Sequence, residues 1–93
     1  MNKYESVVII NPGVEENGMK ELIQKFSSLI NSDGKVENVN ELGKKRLAYE
    51  IAKQKEGYYI VIDFEANPSL IAELERIYRI TDNVMKFIVV RKD

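Results

Sequence analysis

Two stretches of helical period, each set between runs of strand period, constrain this chain more than any other feature. In the first, Met19, Leu22, Ile23, Phe26, Leu29 and Ile30 recur at helical spacing, while Lys20, Glu21, Gln24 and Lys25 fall on the other side. In the second, "NPSLIAELERIY", Asn67 stands at the cap position and Pro68 at the first helical position. Leu70, Ile71, Leu74, Ile77 and Tyr78 form its apolar stripe. Each helix has one face to bury, so each needs a layer to lie on.

The runs around them supply that layer. "KYESVVIIN" (Lys3 to Asn11) is rich in β-branched residues and stops at Pro12 and Gly13, and its Val7 to Ile10 run is apolar on both faces, as in a central strand. The first helix is expected to begin within "VEEN" and to end at "NSDG", with Gly34 in the left-handed closing conformation. From Lys35 to Ala52 no helical stripe exists. Leu47, Tyr49 and Ile51 alternate with Arg46, Ala48, Glu50 and Ala52, which predicts a long strand bent or bulged near Gly43. "KQKEG" then reads as a turn, "YYIVIDFE" (Tyr58 to Glu65) as a third strand and "VMKFIVVRK" (Val84 to Lys92) as a fourth.

The order is β-α-β-β-α-β. Two one-faced helices on a small sheet both lie on the same side of it, giving an α+β, ferredoxin-like sandwich: a four-stranded antiparallel sheet with two helices on one face. The first and third strands are expected in the middle. At 93 residues the chain is expected to form one domain over residues 1–93. The other sheet face is left uncovered, and alternation places Val7, Ile9, Tyr59, Val61, Ile88 and Val90 on it. A contiguous apolar patch of that kind marks a partner surface; the competing reading has Glu5, Lys86 and Glu65 shielding it.

Composition removes most catalytic chemistry. The chain has no cysteine and no histidine, which excludes thiolate and His-containing metal sites, disulfides and the usual neutral-pH general base. Glu15/Glu16 and Glu73/Glu75 are carboxylate pairs without a converging partner, and no phosphate-cradling glycine loop occurs, so no enzyme, metal, cofactor or small-molecule substrate is expected. No apolar run is long enough to span a bilayer and the N-terminus lacks a signal-peptide pattern, so no membrane association and a cytoplasmic location are expected.

A formal net charge of −1 conceals segregation. Lys44, Lys45, Arg46, Lys53 and Lys55 face only Glu50 and Glu56, and Arg76, Arg79, Lys86, Arg91 and Lys92 face only Asp82 and Asp93. The segments between are acidic. "KKR" with Lys53, beside a tyrosine, suits phosphate contact and base stacking, or equally a charged edge strand guarded against edge-to-edge pairing. "KEGYYIVIDF" matches the stacking strand of an RNA-recognition motif poorly, because the first strand offers no aromatic to pair with Tyr59.

"GKKRLAYEIA" (Gly43 to Ala52) resembles the signature segment of the bacterial small-subunit ribosomal protein number six family. "YE" near the start, "NP" after the first strand, "EGYY" opening the third and "RITDNVMKFIVVRK" at the end agree with it, so the resemblance covers essentially the whole chain. It implies a non-catalytic constituent of the small ribosomal subunit that binds the central domain of small-subunit ribosomal RNA together with small-subunit protein number eighteen. On that resemblance Lys45, Arg46, Tyr49, Lys53, Arg79, Lys86 and Arg91 are expected to face RNA, and Val7, Ile9, Tyr59, Val61 and Ile88 the protein partner. No extended acidic or glutamate-rich tail follows Lys92 in this sequence, so any tail-dependent family property is expected either to be absent or to belong to a segment removed from it. The alternative from another class is a small regulatory or enzymatic ferredoxin-like domain that binds a metabolite or dimerises through its sheet.

Overall fold

The computed structural model describes all residues from Met1 to Asp93. The elements run β1 (Asn2–Ile10), α1 (Glu16–Ser32), β2 (Gly34–Ile51), β3 (Gln54–Ala66), α2 (Pro68–Ile80) and β4 (Val84–Arg91). All strand pairs are antiparallel and the sheet order is β2-β3-β1-β4, so the two most apolar strands are central, as expected.

Both helices lie on one face. Met19, Phe26 and Ile30 of α1 and Leu70, Leu74 and Tyr78 of α2 are buried against Tyr4, Val8 and Ile10 of β1 and Ile60, Ile62 and Phe64 of β3. Leu22, Ile23, Leu29, Ile71 and Ile77 pack around the rim of this core half-buried. Phe26 meets Tyr78 edge to face with ring centroids 4.8 Å apart, and this contact joins the two helices across the sheet.

Several local expectations need correction. Gly34 does not close α1 in a left-handed conformation; Asp33 caps the helix at φ −146, and Gly34 is the first residue of β2. A side chain there is excluded for another reason, since a Cβ on Gly34 would collide with the Glu65 carbonyl oxygen on the neighbouring strand. Asn67 occupies the cap position of α2, but its side chain makes no capping bond and donates Nδ2–H to Asp33 Oδ1 at 3.2 Å, tying the end of α1 to the start of α2.

The expected turn at "KQKEG" is also displaced. The chain reverses at Ala52 and Lys53, which take positive φ of 50 and 66, and pairing resumes with Ile51 opposite Gln54. Two left-handed residues match the twist of a two-residue hairpin, a role usually given to Asn and Gly. Gln54 to Gly57 are therefore strand, and β2 and β3 continue as an arm beyond β1, whose last pair with β3 is Ile10 with Tyr58; within the arm the pairing is interrupted between Arg46 and Ile51, so Leu47 to Glu50 have no partner on β3.

The bend expected near Gly43 is present as a bulge. Glu37 and Leu42 are each skipped in the β2–β3 register, and Gly43 sits at φ 83 beside the second irregularity.

Candidate nucleic-acid interface

The sheet face opposite the helices is built by register. Val7 pairs with Val61 and Ile88, Ile9 with Tyr59 and Lys86, and Glu5 with Asp63 and Val90, so these side chains share one surface. Ile88 and Val90 are exposed, and Val7, Tyr59 and Val61 half-buried. A shallow cavity of ≈ 220 Å³ lies among Val7, Ile9, Tyr59, Lys86, Phe87 and Ile88. Neither Lys86 nor Glu5 covers it with an ion pair, since the ion pairs all lie elsewhere.

Ile9 departs from its neighbours on this face, being only 8% exposed. The cause lies in the arm. Gly57 has no side chain, so the Ile9 Cγ2 methyl occupies the space its Cβ would take, and Leu47, also 8% exposed, closes over the same spot. The arm thereby curls onto the uncovered face rather than projecting straight from it, and it carries Tyr49 with it. Sequence reasoning missed Leu47 and Gly57; a glycine facing an isoleucine across two strands is visible only once register is known.

The seven cations and aromatics expected to face RNA divide into separate places. Register puts Lys45 opposite Gly57, on the uncovered face, and Lys86 opposite Ile9, on that same face. Tyr49 joins them: Lys86 Nζ donates to its hydroxyl at 2.9 Å, although the two residues are 37 apart in sequence. That bond holds the Lys86 ammonium above the ordinary lysine range.

Arg46 pairs opposite Glu56, one residue out of phase with Lys45, and stands at the margin of the arm, lining one cleft with Lys55 and Glu56 and another with Leu47, Tyr49 and Lys55. Lys53 stands at the turn. Arg79 belongs to the helix layer, with its guanidinium carbon 5.8 Å from the Phe87 ring centre. Arg91 is at the far end of β4 and is already engaged, donating Nε–H to Asp93 Oδ1 at 3.0 Å and Nη2–H to Asn2 Oδ1 at 3.2 Å.

Charge pairing separates these groups further. The ion pairs are Lys20–Glu16, Arg76–Glu73, Arg91–Asp93 and Lys92–Asp63, and none involves a cation of the arm. Lys45, Arg46, Lys53 and Lys55, with Lys86 beside them, are thus free to meet an external anion. At the other end of the face Glu5, Asp63 and Glu65 stand beside Lys3, Lys35 and Lys92, with Lys92 ion-paired to Asp63, so charge there is balanced while the arm carries the unpaired cations.

The carboxylates do not converge. Glu73 accepts two bonds from Arg76, at 3.0 and 2.6 Å, which hold it below the usual carboxylate range, and no group of acidic residues is placed to hold a metal ion. No helix is long and apolar enough to cross a membrane.

The structure is a small ferredoxin-like α+β sandwich with one uncovered sheet face and a cationic arm beyond its end. The family model described as Ribosomal protein S6 matches residues 3–91. Small ribosomal subunit protein bS6 of Clostridium novyi is 50% identical over 94 residues, covering 100% of this chain and 99% of the relative. The protein of the same name from Clostridium botulinum is 45% identical, covering 100% of each. The crystal structure of 30S ribosomal protein S6 from Thermotoga maritima superposes with a TM-score of 0.92 at 34% identity, over 98% of this chain and 87% of that one. An Arabidopsis thaliana protein at 16% identity and a TM-score of 0.57 shares the fold alone.

The chain belongs to the ribosomal protein S6 family, and is a structural, non-enzymatic constituent of the small ribosomal subunit. In bacteria that subunit is cytoplasmic.

Proposed function

We propose that the chain binds the central domain of small-subunit ribosomal RNA jointly with small-subunit protein number eighteen, its protein partner docking on the uncovered sheet face. The observation that carries this reading is the continuity of an uncovered apolar patch (Val7, Tyr59, Val61, Ile88) with Lys45 and Lys86, which no carboxylate of the chain neutralises.

Net charge explains why two proteins are needed. A chain of net charge −1 with a few clustered cations releases few counterions on meeting RNA, and so binds it weakly alone. A basic neighbour seated on the apolar patch adds phosphate contacts, and each protein then raises the other's affinity for the RNA. Of the residues assigned to RNA, Lys45, Arg46, Tyr49, Lys53 and Lys86 lie on or beside the arm, whereas Arg79 and Arg91 would need RNA that also passes the helix layer or the far end of β4.

The experiment is a titration of an RNA fragment covering the central domain, with and without the protein partner, across a salt series. Arg46→Ala should weaken the ternary complex and lower its salt slope by about one. Val61→Glu should weaken protein–protein docking first and RNA association only as a consequence. Unchanged ternary affinity for an Arg46→Ala, Lys53→Ala double variant together with Lys45→Ala would remove the arm from the RNA interface.

A further inference from the structure

We infer that the ring of Tyr49 is a stacking platform for one unpaired base of RNA. This rests on the RNA-binding reading above and specifies what the arm recognises: a splayed-out nucleotide rather than a duplex backbone.

Tyr49 is 62% exposed and lies on the part of the arm beyond the end of β1. It contributes nothing to the core, yet it is held in place. Its hydroxyl accepts from Lys86 on β4, at the opposite edge of the β2-β3-β1-β4 sheet. The Lys86 ammonium is 2.9 Å from that hydroxyl and 5.4 Å from the ring centre. Those two distances together place the nitrogen off the hydroxyl edge of the ring and near its plane, not over its face as a cation–π contact requires. The ring is therefore oriented by its edge, with the ammonium off both of its faces.

Its surroundings suit a nucleotide. A cleft of ≈ 230 Å³ opens beside Tyr49 among Arg46, Leu47, Ala48, Glu50 and Lys55. Neither Arg46 nor Lys55 has an ion-pair partner, and Lys86 keeps donor hydrogens beyond the one given to Tyr49. A base on the ring would place its phosphates among these cations, the combination of aromatic face and cationic groove that holds single-stranded nucleic acid. Paired bases in an A-form helix have their faces covered, so the ring can engage only a base out of the stack. The excess of cations around Tyr49 favours a polyanion there over a protein partner, for which the apolar patch around Val61 and Ile88 is the better match.

The test uses the ternary mixture of full-length chain, protein partner and central-domain RNA fragment, with circular dichroism as folding control. Tyr49→Leu should weaken RNA affinity by about 5- to 100-fold without changing the salt slope, because a stacking face is lost and no phosphate contact is. Tyr49→Phe, which keeps the face, should restore affinity to within about threefold of wild type. Ultraviolet cross-linking should join Tyr49 to a single nucleotide that is unpaired in the RNA. Wild-type affinity in Tyr49→Leu would overturn the inference. So would an equal loss in a titration of the two proteins without RNA, which would make Tyr49 a protein contact. A wild-type mixture that holds no RNA would overturn the parent reading as well, and is distinguished from the other two outcomes by the wild-type curve itself.

Discussion

Ser6 on β1 and Tyr78 on α2 share a hydrogen bond of 2.8 Å inside the core, where Ser6 is the buried polar residue among apolar neighbours. Burial pushes the Tyr78 phenol from its ordinary 10 up to about 12. Below pH 10 the phenol is neutral in folded and unfolded chains alike, so this contribution to stability is complete there. Between pH 10 and 12 the unfolded chain loses its proton first, and stability should fall by roughly 2–3 kcal/mol across that window. Denaturant melts at a series of alkaline pH values measure it.

The same pair predicts non-additive mutations. Tyr78→Phe strands the Ser6 hydroxyl in the core and should cost about 1–3 kcal/mol, while adding Ser6→Ala should recover most of that loss. The double variant should also lose the share of alkaline destabilisation that Tyr78 causes. Equal melts for the single and double variants would contradict the assignment.

Phe26 and Leu74 are fully buried on the two helices. Phe26→Ala or Leu74→Ala should each destabilise by about 2–5 kcal/mol, since each leaves a cavity beneath a helix. Urea titration is sufficient, and a loss below about 0.5 kcal/mol would place the residue outside the core.

Three glycines should rank by what an added methyl meets. Gly34→Ala drives a Cβ into the Glu65 carbonyl oxygen, a backbone atom that cannot yield without moving β3, and should cost about 2–4 kcal/mol. In Gly57→Ala the obstacle is the Ile9 Cγ2 methyl, a side-chain atom, and the cost should be about 1–3 kcal/mol. Gly43→Ala meets open space but keeps φ 83, so only the backbone term of about 1 kcal/mol remains. Thermal melts in the reverse order would refute the ranking.

The hairpin turn can be improved. Ala52 and Lys53 occupy left-handed conformations that cost a residue with a Cβ free energy. Ala52→Asn with Lys53→Gly should raise stability by about 0.5–1.5 kcal/mol, read as a shift in denaturant midpoint at constant slope.

The helices were legible because their apolar stripes follow one period over at least three turns, and the sheet followed from their need for a common support. The turn at Ala52 and Lys53 was not, because neither residue type announces a left-handed conformation and the glycine that suggests a turn, Gly57, lies within β3 and serves the packing of Ile9 instead. Alternation along β2 put Leu47 and Tyr49 on one side, but the register breaks between Arg46 and Ile51, and Arg46 lines a cleft with both of them. What it could not supply was the position of the arm, which depends on contacts between residues far apart in sequence: Leu47 over Ile9, and Tyr49 with Lys86. Ser6 escaped notice for a related reason, since a serine before an apolar run reads as solvent-facing until Tyr78 is placed above it.

The skipped residues Glu37 and Leu42 have a consequence for the outer edge of β2, the longest strand of the sheet and one with no neighbour on that side. Between these interruptions the strand keeps regular phase only over Asn38 to Glu41, and beyond them over Gly43 to Arg46. A foreign strand laid along this edge matches donors to acceptors for about four residues, then falls out of step, and must pay a bulge of its own to continue. The sheet can therefore carry an eighteen-residue border in a crowded solution without offering a template on which identical chains could polymerise.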